Sequence, residues 1–327
     1  MLIYLTFIVG LLFLLKGADF LVEGSSSIAK RLGISELVIG LTIVAFGTSA
    51  PELLVNLVAG FKGNTDIAIG NILGSNIANI LLILGLSALF SPLMIKRSTT
   101  WKEIPLNLLA VAVLFFMAND QIIDHSSVSV LTRIDGLVLI AFFFIFLAYT
   151  IGLAKAEKEI IDDGIHKYSW LAAIGMSVGG LIALAIGGNW VVNGAVILAR
   201  QWQVSETLIG LTIVAVGTSL PELATSVVAA FKKKSGIAIG NIVGSNLFNI
   251  LWVLGISATL RPISIPSTAN FDIGVCIAAT FLLFVFCFTP KIRKKFILPQ
   301  TYSLERLEGG ILLGMYVAYV SFLIWRG

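Results

Sequence analysis

Two glutamates stand in this chain where the neighbouring sequence offers them no cationic partner. Glu52 lies in GLTIVAFGTSAPELLVN, which starts at Gly40, and Glu222 lies in GLTIVAVGTSLPELATS, which starts at Gly210. The two stretches agree at 12 of 17 positions and lie 170 residues apart. On a helix, Ala45, Thr48, Glu52 and Asn56 follow a three-or-four spacing and share one face. Pro51 and Pro221 lack an N–H, so the carbonyls of Gly47 and Gly217 lose their helical partners and the turn opens. Backbone oxygens freed in this way become available to a ligand. A second doubled stretch follows, DIAIGNILGSNIANILLILG at Asp66 and GIAIGNIVGSNLFNILWVLG at Gly236, with 14 of 20 positions shared. There Asn71, Ser75 and Asn79 recur every four residues, as do Asn241, Ser245 and Asn249. Gly70 with Gly74, and Gly240 with Gly244, form the small-xxx-small pattern that lets helix backbones approach closely.

The donors gathered in this way are two carboxylates, Thr and Ser hydroxyls, Asn carbonyls and freed backbone carbonyls. All are hard oxygens, a set that suits calcium or sodium rather than zinc or copper. Two carboxylates neutralise one Ca²⁺. The alternative is a pair of permanently neutral, hydrogen-bonded glutamic acids. Cys276 and Cys287 lie eleven residues apart in another apolar run, too far along a helix to pair with each other. His125 and His166 fall in loops and are not candidate ligands.

The elements that must carry these residues follow from composition. Of 327 residues 57% are hydrophobic and only 12% charged, against roughly 25% charged in an average soluble domain. Mean hydropathy is +0.99. Lipid is therefore the solvent. About ten apolar runs are long enough to cross a ~30 Å hydrocarbon core. They lie near 2–22, 36–61, 66–90, 103–119, 130–154, 170–195, 206–231, 236–260, 270–289 and 306–325. A carboxylate at that depth costs about 2.5–3.5 kcal/mol on insertion scales, so two of them demand compensation. The first run has no preceding Lys or Arg and no small-residue cleavage pattern, so it reads as a span and not a cleaved signal.

Assigning loops alternately to two sides puts sixteen Lys and Arg on one side and five on the other, with Lys16 inside the first run. The positive-inside rule makes the first side cytoplasmic and places both termini outside. The loop after the first motif, FKGNTD, carries one Lys, and its counterpart FKKKSG carries three. Equivalent loops thus lie on opposite faces. The expected fold is an all-α integral membrane protein of ten transmembrane helices in two inverted five-helix repeats. The first repeat covers 1–160 with its motif at 40–85, and the second covers 161–327 with its motif at 210–255. The similarity also reaches back to Gly17 and Gly187, with 10 identities in 26. Ser35-Glu36 and Ser205-Glu206 read as helix caps, and Asp66 as a helix N-terminal acid. Asp19, aligned with Asn189, reads as a packing or interfacial residue that could touch an entry path.

GTSxPE followed by GNxxGSNxxN, present twice, resembles the repeats of the sodium/calcium exchanger branch of the calcium/cation antiporters, and its short prokaryotic members most. The resemblance implies a secondary antiporter, not an enzyme, exchanging Na⁺ for Ca²⁺ by alternating access in a cell membrane, plasma or inner. It implies no cofactor beyond the transported ions and no protein partner; the basic clusters are short and scattered along loop edges, which argues against a nucleic-acid partner. Glu52, Glu222, Thr48 and Thr218 would bind calcium. Sodium would use these residues with the carbonyls of Ala45 and Ala215, Ser75 on the inward side and Ser245 on the outward side. Asn79 and Asn249 would flank the centre. Some family members carry Asp at the position of Asn249, so this chain has two central carboxylates where those have three. Gly74 and Gly244 stand where the proton/calcium branch places an acid. A proton/calcium antiporter, a passive channel or a membrane scaffold are the alternative readings.

Overall fold

The computed structural model describes residues 2–156, 168–203, 215–289 and 302–326. Eleven helices, besides the short turns Asp120–Ile123 and Ala215–Gly217, carry the described chain. They are α1 (Leu2–Leu32), α2 (Glu36–Thr48), α3 (Ala50–Lys62), α4 (Thr65–Phe90), α5 (Thr99–Met117), α6 (Arg133–Ala156), α7 (Trp170–Gln201), α8 (Leu220–Phe231), α9 (Ser235–Leu260), α10 (Ala269–Phe286) and α11 (Arg306–Arg326). Eight are long and apolar enough to cross a membrane, and α2 with α3, bent by 43° at the break between them, passes the same test only as a pair. The tenth expected run, 206–231, is described only from Ala215 on, where a turn of helix precedes α8. Ser205-Glu206, His166 and residues 210–214 lie outside the described residues.

The core is set by which helices lipid cannot reach. The apolar stretch of α9 is 94% buried and that of α4 78%, whereas α1, α5, α6, α7, α10 and α11 stand at 17–39%. α4 and α9 are the two copies of the Asn-Ser-Asn stretch, so the doubled polar motif occupies the centre and apolar helices screen it. Both α4 and α9 widen into a π-helical segment, Asn79–Leu84 and Phe248–Leu254. Such local widening is common at functional sites.

α1 runs ten residues past the apolar stretch expected for it, to Leu32, because Glu23, Lys30 and Arg31 carry no helix-breaking chemistry. It packs along α7 through repeat-related glycines. A Cβ at Gly180 would lie 2.6 Å from the carbonyl oxygen of Gly17, and one at Gly187 would lie 2.7 Å from that of Gly10. Ser35 caps α2, its hydroxyl accepting from the Val38 N–H at 3.4 Å. Two short antiparallel ribbons, not expected in an all-helical chain, tie distant loops together. Leu93–Ile95 pairs with Tyr302–Leu304, and Val130–Leu131 pairs with Ile263–Ser264.

Candidate functional site

Each glutamate stands in the first turn after a break. Ser49 (φ −83°, ψ 5°) separates α2 from α3, and Ser219 (φ −88°, ψ 7°) precedes α8 in the same conformation. Pro51 and Pro221 fall in the first turn of the following helix, where a missing N–H costs nothing. Glu52 and Glu222 are thereby presented at helix N-termini, whose partial positive charge favours an anion. Both are fully buried.

The hydrogen bonds repeat with the 170-residue offset. Ser75 donates to Glu52 Oε1 at 3.4 Å and Ser245 to Glu222 Oε1 at 3.5 Å. Ser219 reaches across to Glu52 Oε1 at 3.3 Å, and Ser49 reaches back to Glu222 Oε1 at 3.3 Å. The Thr48 hydroxyl donates to Asn241 Oδ1 at 2.9 Å, as Thr218 does to Asn71 Oδ1 at 3.3 Å. Those asparagines turn their amide groups to the carbonyls of Glu222 and Glu52, at 3.4 and 3.5 Å. Where α4 crosses α9, Asn76 and Asn246 each donate to the other's backbone carbonyl at 3.3 Å. Their side-chain oxygens accept from Asn249 at 3.1 Å and Asn79 at 2.9 Å. The cluster therefore has approximate two-fold symmetry.

Four buried oxygens of this cluster have no hydrogen-bond partner: Glu52 Oε2, Glu222 Oε2, Asn79 Oδ1 and Asn249 Oδ1. They too are two symmetry-related pairs. An unpaired buried acceptor costs about 1–3 kcal/mol, and more when charged, so four in one cluster leave acceptor capacity that the protein itself does not use. All four are hard oxygen donors, of the kind that oxygen-seeking ions such as calcium and sodium take.

Most motif residues singled out in the sequence are brought together here. The carbonyl of Ala45 accepts the Ser49 N–H at 3.0 Å and lies 3.3 Å from the Thr48 hydroxyl. Ala215 sits in the helical turn before the second break, together with Gly217. Gly240 and Gly244 lie against the backbone of α2, where added Cβ atoms would meet Leu37 O and Ala45 Cβ at 2.7 Å. At Gly70 and Gly74 no atom of the described residues comes within 4 Å of a Cβ. The segment that the repeat would place against them, 207–215, lies almost wholly outside those residues. Sequence reasoning missed Ser49 and Ser219 as partners of the opposite carboxylate. Their doubling inside GTSxPE was the available signal.

Fold and site together define a polytopic helical membrane protein with a buried, oxygen-lined polar cluster where two broken helices meet. The family model described as sodium/calcium exchanger protein matches residues 2–152 and 172–325. The chain belongs to that family of membrane antiporters. It is 32% identical to the sodium/calcium exchanger MaX1 of Methanosarcina acetivorans over 98% of each chain. It is 35% identical to the inner membrane protein YrbG of Escherichia coli K12, over 97% of this chain and 95% of that one. The solved structure of the sodium-calcium exchanger NCX_Mj, soaked with Na⁺ and Sr²⁺, superimposes with a TM-score of 0.81 at 32% identity, covering 98% of both chains.

Proposed function

We propose that the chain exchanges Na⁺ for Ca²⁺ by alternating access, with the competing cations held between Glu52 and Glu222. The observation that carries this reading is the set of four partnerless oxygens on Glu52, Glu222, Asn79 and Asn249. Two carboxylates balance the charge of one Ca²⁺, and the neutral amide oxygens extend its shell towards the 6–8 donors calcium takes. Thr48 and Thr218 complete the calcium set. Sodium shares these residues, with Ser75 and Ser245 as separate sites on the inward and outward sides and the carbonyls of Ala45 and Ala215 as further donors. MaX1 and NCX_Mj are both named sodium/calcium exchangers, which supports the same coupling here.

The architecture we propose is ten spans in two inverted repeats, in a plasma or inner membrane with both termini outside. The reciprocal hydrogen bonds at the 170-residue offset support it, as does the sixteen-to-five loop charge. α1 and α7 move as a pair against the motif helices to switch access.

The test is ⁴⁵Ca²⁺ uptake into proteoliposomes. An imposed Na⁺ gradient is expected to drive accumulation above equilibrium, and a proton gradient alone is not. Uptake that follows the proton gradient and ignores sodium would replace this reading with proton/calcium antiport. Dissipative uptake that follows neither gradient would indicate a passive channel. Within the site, Ser49→Ala and Ser219→Ala each remove one long hydrogen bond from a carboxylate and leave its charge. Each is expected to cost about 1 kcal/mol, roughly a fivefold loss of calcium affinity by titration calorimetry.

A further inference from the structure

The two halves of the site are alike, but the helices that cover them are not. α1 and α7 are equivalent in the repeat, as are α8 and α3. α1 packs against α8, and Ala18 and Val22 of α1 are buried. The equivalent pair, α7 and α3, stands apart across a cavity of about 730 Å³ lined by Pro51, Leu54 and Val55 on one wall and Leu181, Ile182 and Ala185 on the other. The α1–α8 side is closed, whereas the gap on the α7–α3 side reaches Thr218 and Pro221 of the polar cluster.

The closed side carries a charge cluster that the open side cannot form. Lys232, at the C-terminal end of α8, pairs with Asp19 and, at 2.8 Å, with Glu23, both on α1. Lys234 adds a contact to Glu23 at 3.4 Å. Burial works against the charge on Lys232, but its hydrogen bonds to Asp19 and Glu23 outweigh that and hold its pKa above the usual lysine range. At the 170-residue offset the equivalents of Asp19, Glu23 and Lys234 are Asn189, Asn193 and Asn64. Lys62, in the place of Lys232, therefore has no acid to meet at those positions. Asn189 and Asn193 instead bond to each other, at 2.9 Å.

We propose that Asp19, Glu23, Lys232 and Lys234 form a latch that positions α1 against α8, keeps the entrance on the Lys232 face shut at rest, and so biases the transporter towards opening on the opposite face. This rests on the alternating-access reading above. An ion pair between fully exposed groups contributes little. Here three contacts share two half-buried acids, and all of them must part before α1 leaves α8. A device on one face only makes the two access states unequal even though the ion site is nearly symmetric, and the affinity seen from the latched face falls with the fraction of molecules open there.

The experiment is a distance measurement. Spin labels at Leu32→Cys, which is exposed at the end of α1, and at Lys233→Cys report the separation of α1 from the end of α8, and the native Cys276 and Cys287 are both buried. The parent is expected to give one short distance. Lys232→Met, and separately Glu23→Gln, are expected to add a longer population of comparable size, and Lys232→Arg is expected to retain the parent distribution. In oriented proteoliposomes the same variants should bind calcium severalfold more tightly from the Lys232 face and more weakly from the other. An unchanged distance distribution in both Lys232→Met and Glu23→Gln would refute the latch. Na⁺-driven exchange by the parent is measured alongside. Its absence would refute the exchange reading, and the distances would still judge the latch.

Discussion

Glu52→Gln and Glu222→Gln are each expected to abolish Na⁺-driven Ca²⁺ uptake while leaving folded protein in the membrane. The substitution keeps the shape of the side chain and an oxygen in the place of Oε1, so the bonds from Ser75 and Ser219, or from Ser245 and Ser49, can still form. What it removes is one of two negative charges facing a divalent ion in a fully buried cluster. At an effective dielectric of about 20 a unit charge about 4 Å from a divalent ion is worth roughly 8 kcal/mol, on the order of a millionfold in affinity. The amide also turns an N–H towards the ion where Oε2 had been. Because Oε2 has no partner inside the protein, its loss breaks no structural bond, so size-exclusion profiles and helix content should match the parent. Ca²⁺ binding by calorimetry and ⁴⁵Ca²⁺ flux should both disappear. Coupled exchange retained by both variants would reduce the glutamates to structural residues.

The same cluster shows which parts of the site a reader of the sequence can reach. The break was visible because Pro51 and Pro221 cannot satisfy a helix interior, and the 43° bend between α2 and α3 falls at Ser49, inside the Gly47–Pro51 turn that the proline opens. Glu52, Ser75 and Asn79 were visible because each is polar within an apolar run and each is written twice. Ser49 was not, because helical spacing relates it to its own strand of the repeat, whereas its hydroxyl bonds Glu222, 173 positions away. That contact depends on how two halves dock, which no local pattern encodes. The same holds for the mutual Asn76–Asn246 pair and for Lys232 with Asp19. Asp19 read as an interfacial residue, since its partner is supplied by another helix. The widened turns at Asn79 and Phe248 were also hidden, because an i→i+5 step leaves no mark on residue type. The eight spans and the bent α2–α3 pair among the described residues were legible from hydropathy, whereas the extra length of α1 was not, as charged residues continue a helix as readily as they end a span.

Gly240→Leu is expected to remove folded protein altogether, and Gly244→Ala to leave protein that folds but exchanges poorly. α9 crosses α2 at backbone contact. A Cβ at Gly240 would lie 2.7 Å from the carbonyl oxygen of Leu37 and 2.9 Å from the Cα of Gly40. Those are main-chain atoms of a buried helix, so no rotamer can yield and the helices themselves must separate. Overpacking of an ordinary core costs about 1–3 kcal/mol because side chains can shift. Here they cannot, and the crossing being opened is the one that joins the two copies of the motif. At Gly244 a Cβ would meet the Ala45 Cβ at 2.7 Å and the Leu41 Cα at 2.9 Å. A methyl group there pushes α2 outward by a fraction of an ångström beside the Thr48–Asn241 bond of 2.9 Å, which displaces a calcium ligand before it unfolds anything. Gly152 and Gly274 serve as controls, because no atom of the described residues lies within 4 Å of a Cβ at either. Gly152→Leu and Gly274→Leu place the side chain in lipid and relieve a helix-interior glycine worth about 0.8–1.0 kcal/mol. Both are expected to match or exceed the parent in melting temperature by intrinsic-thiol or scattering assays, and to exchange normally. If Gly240→Leu folds and transports like these controls, the close crossing is not what holds the two motif copies in register.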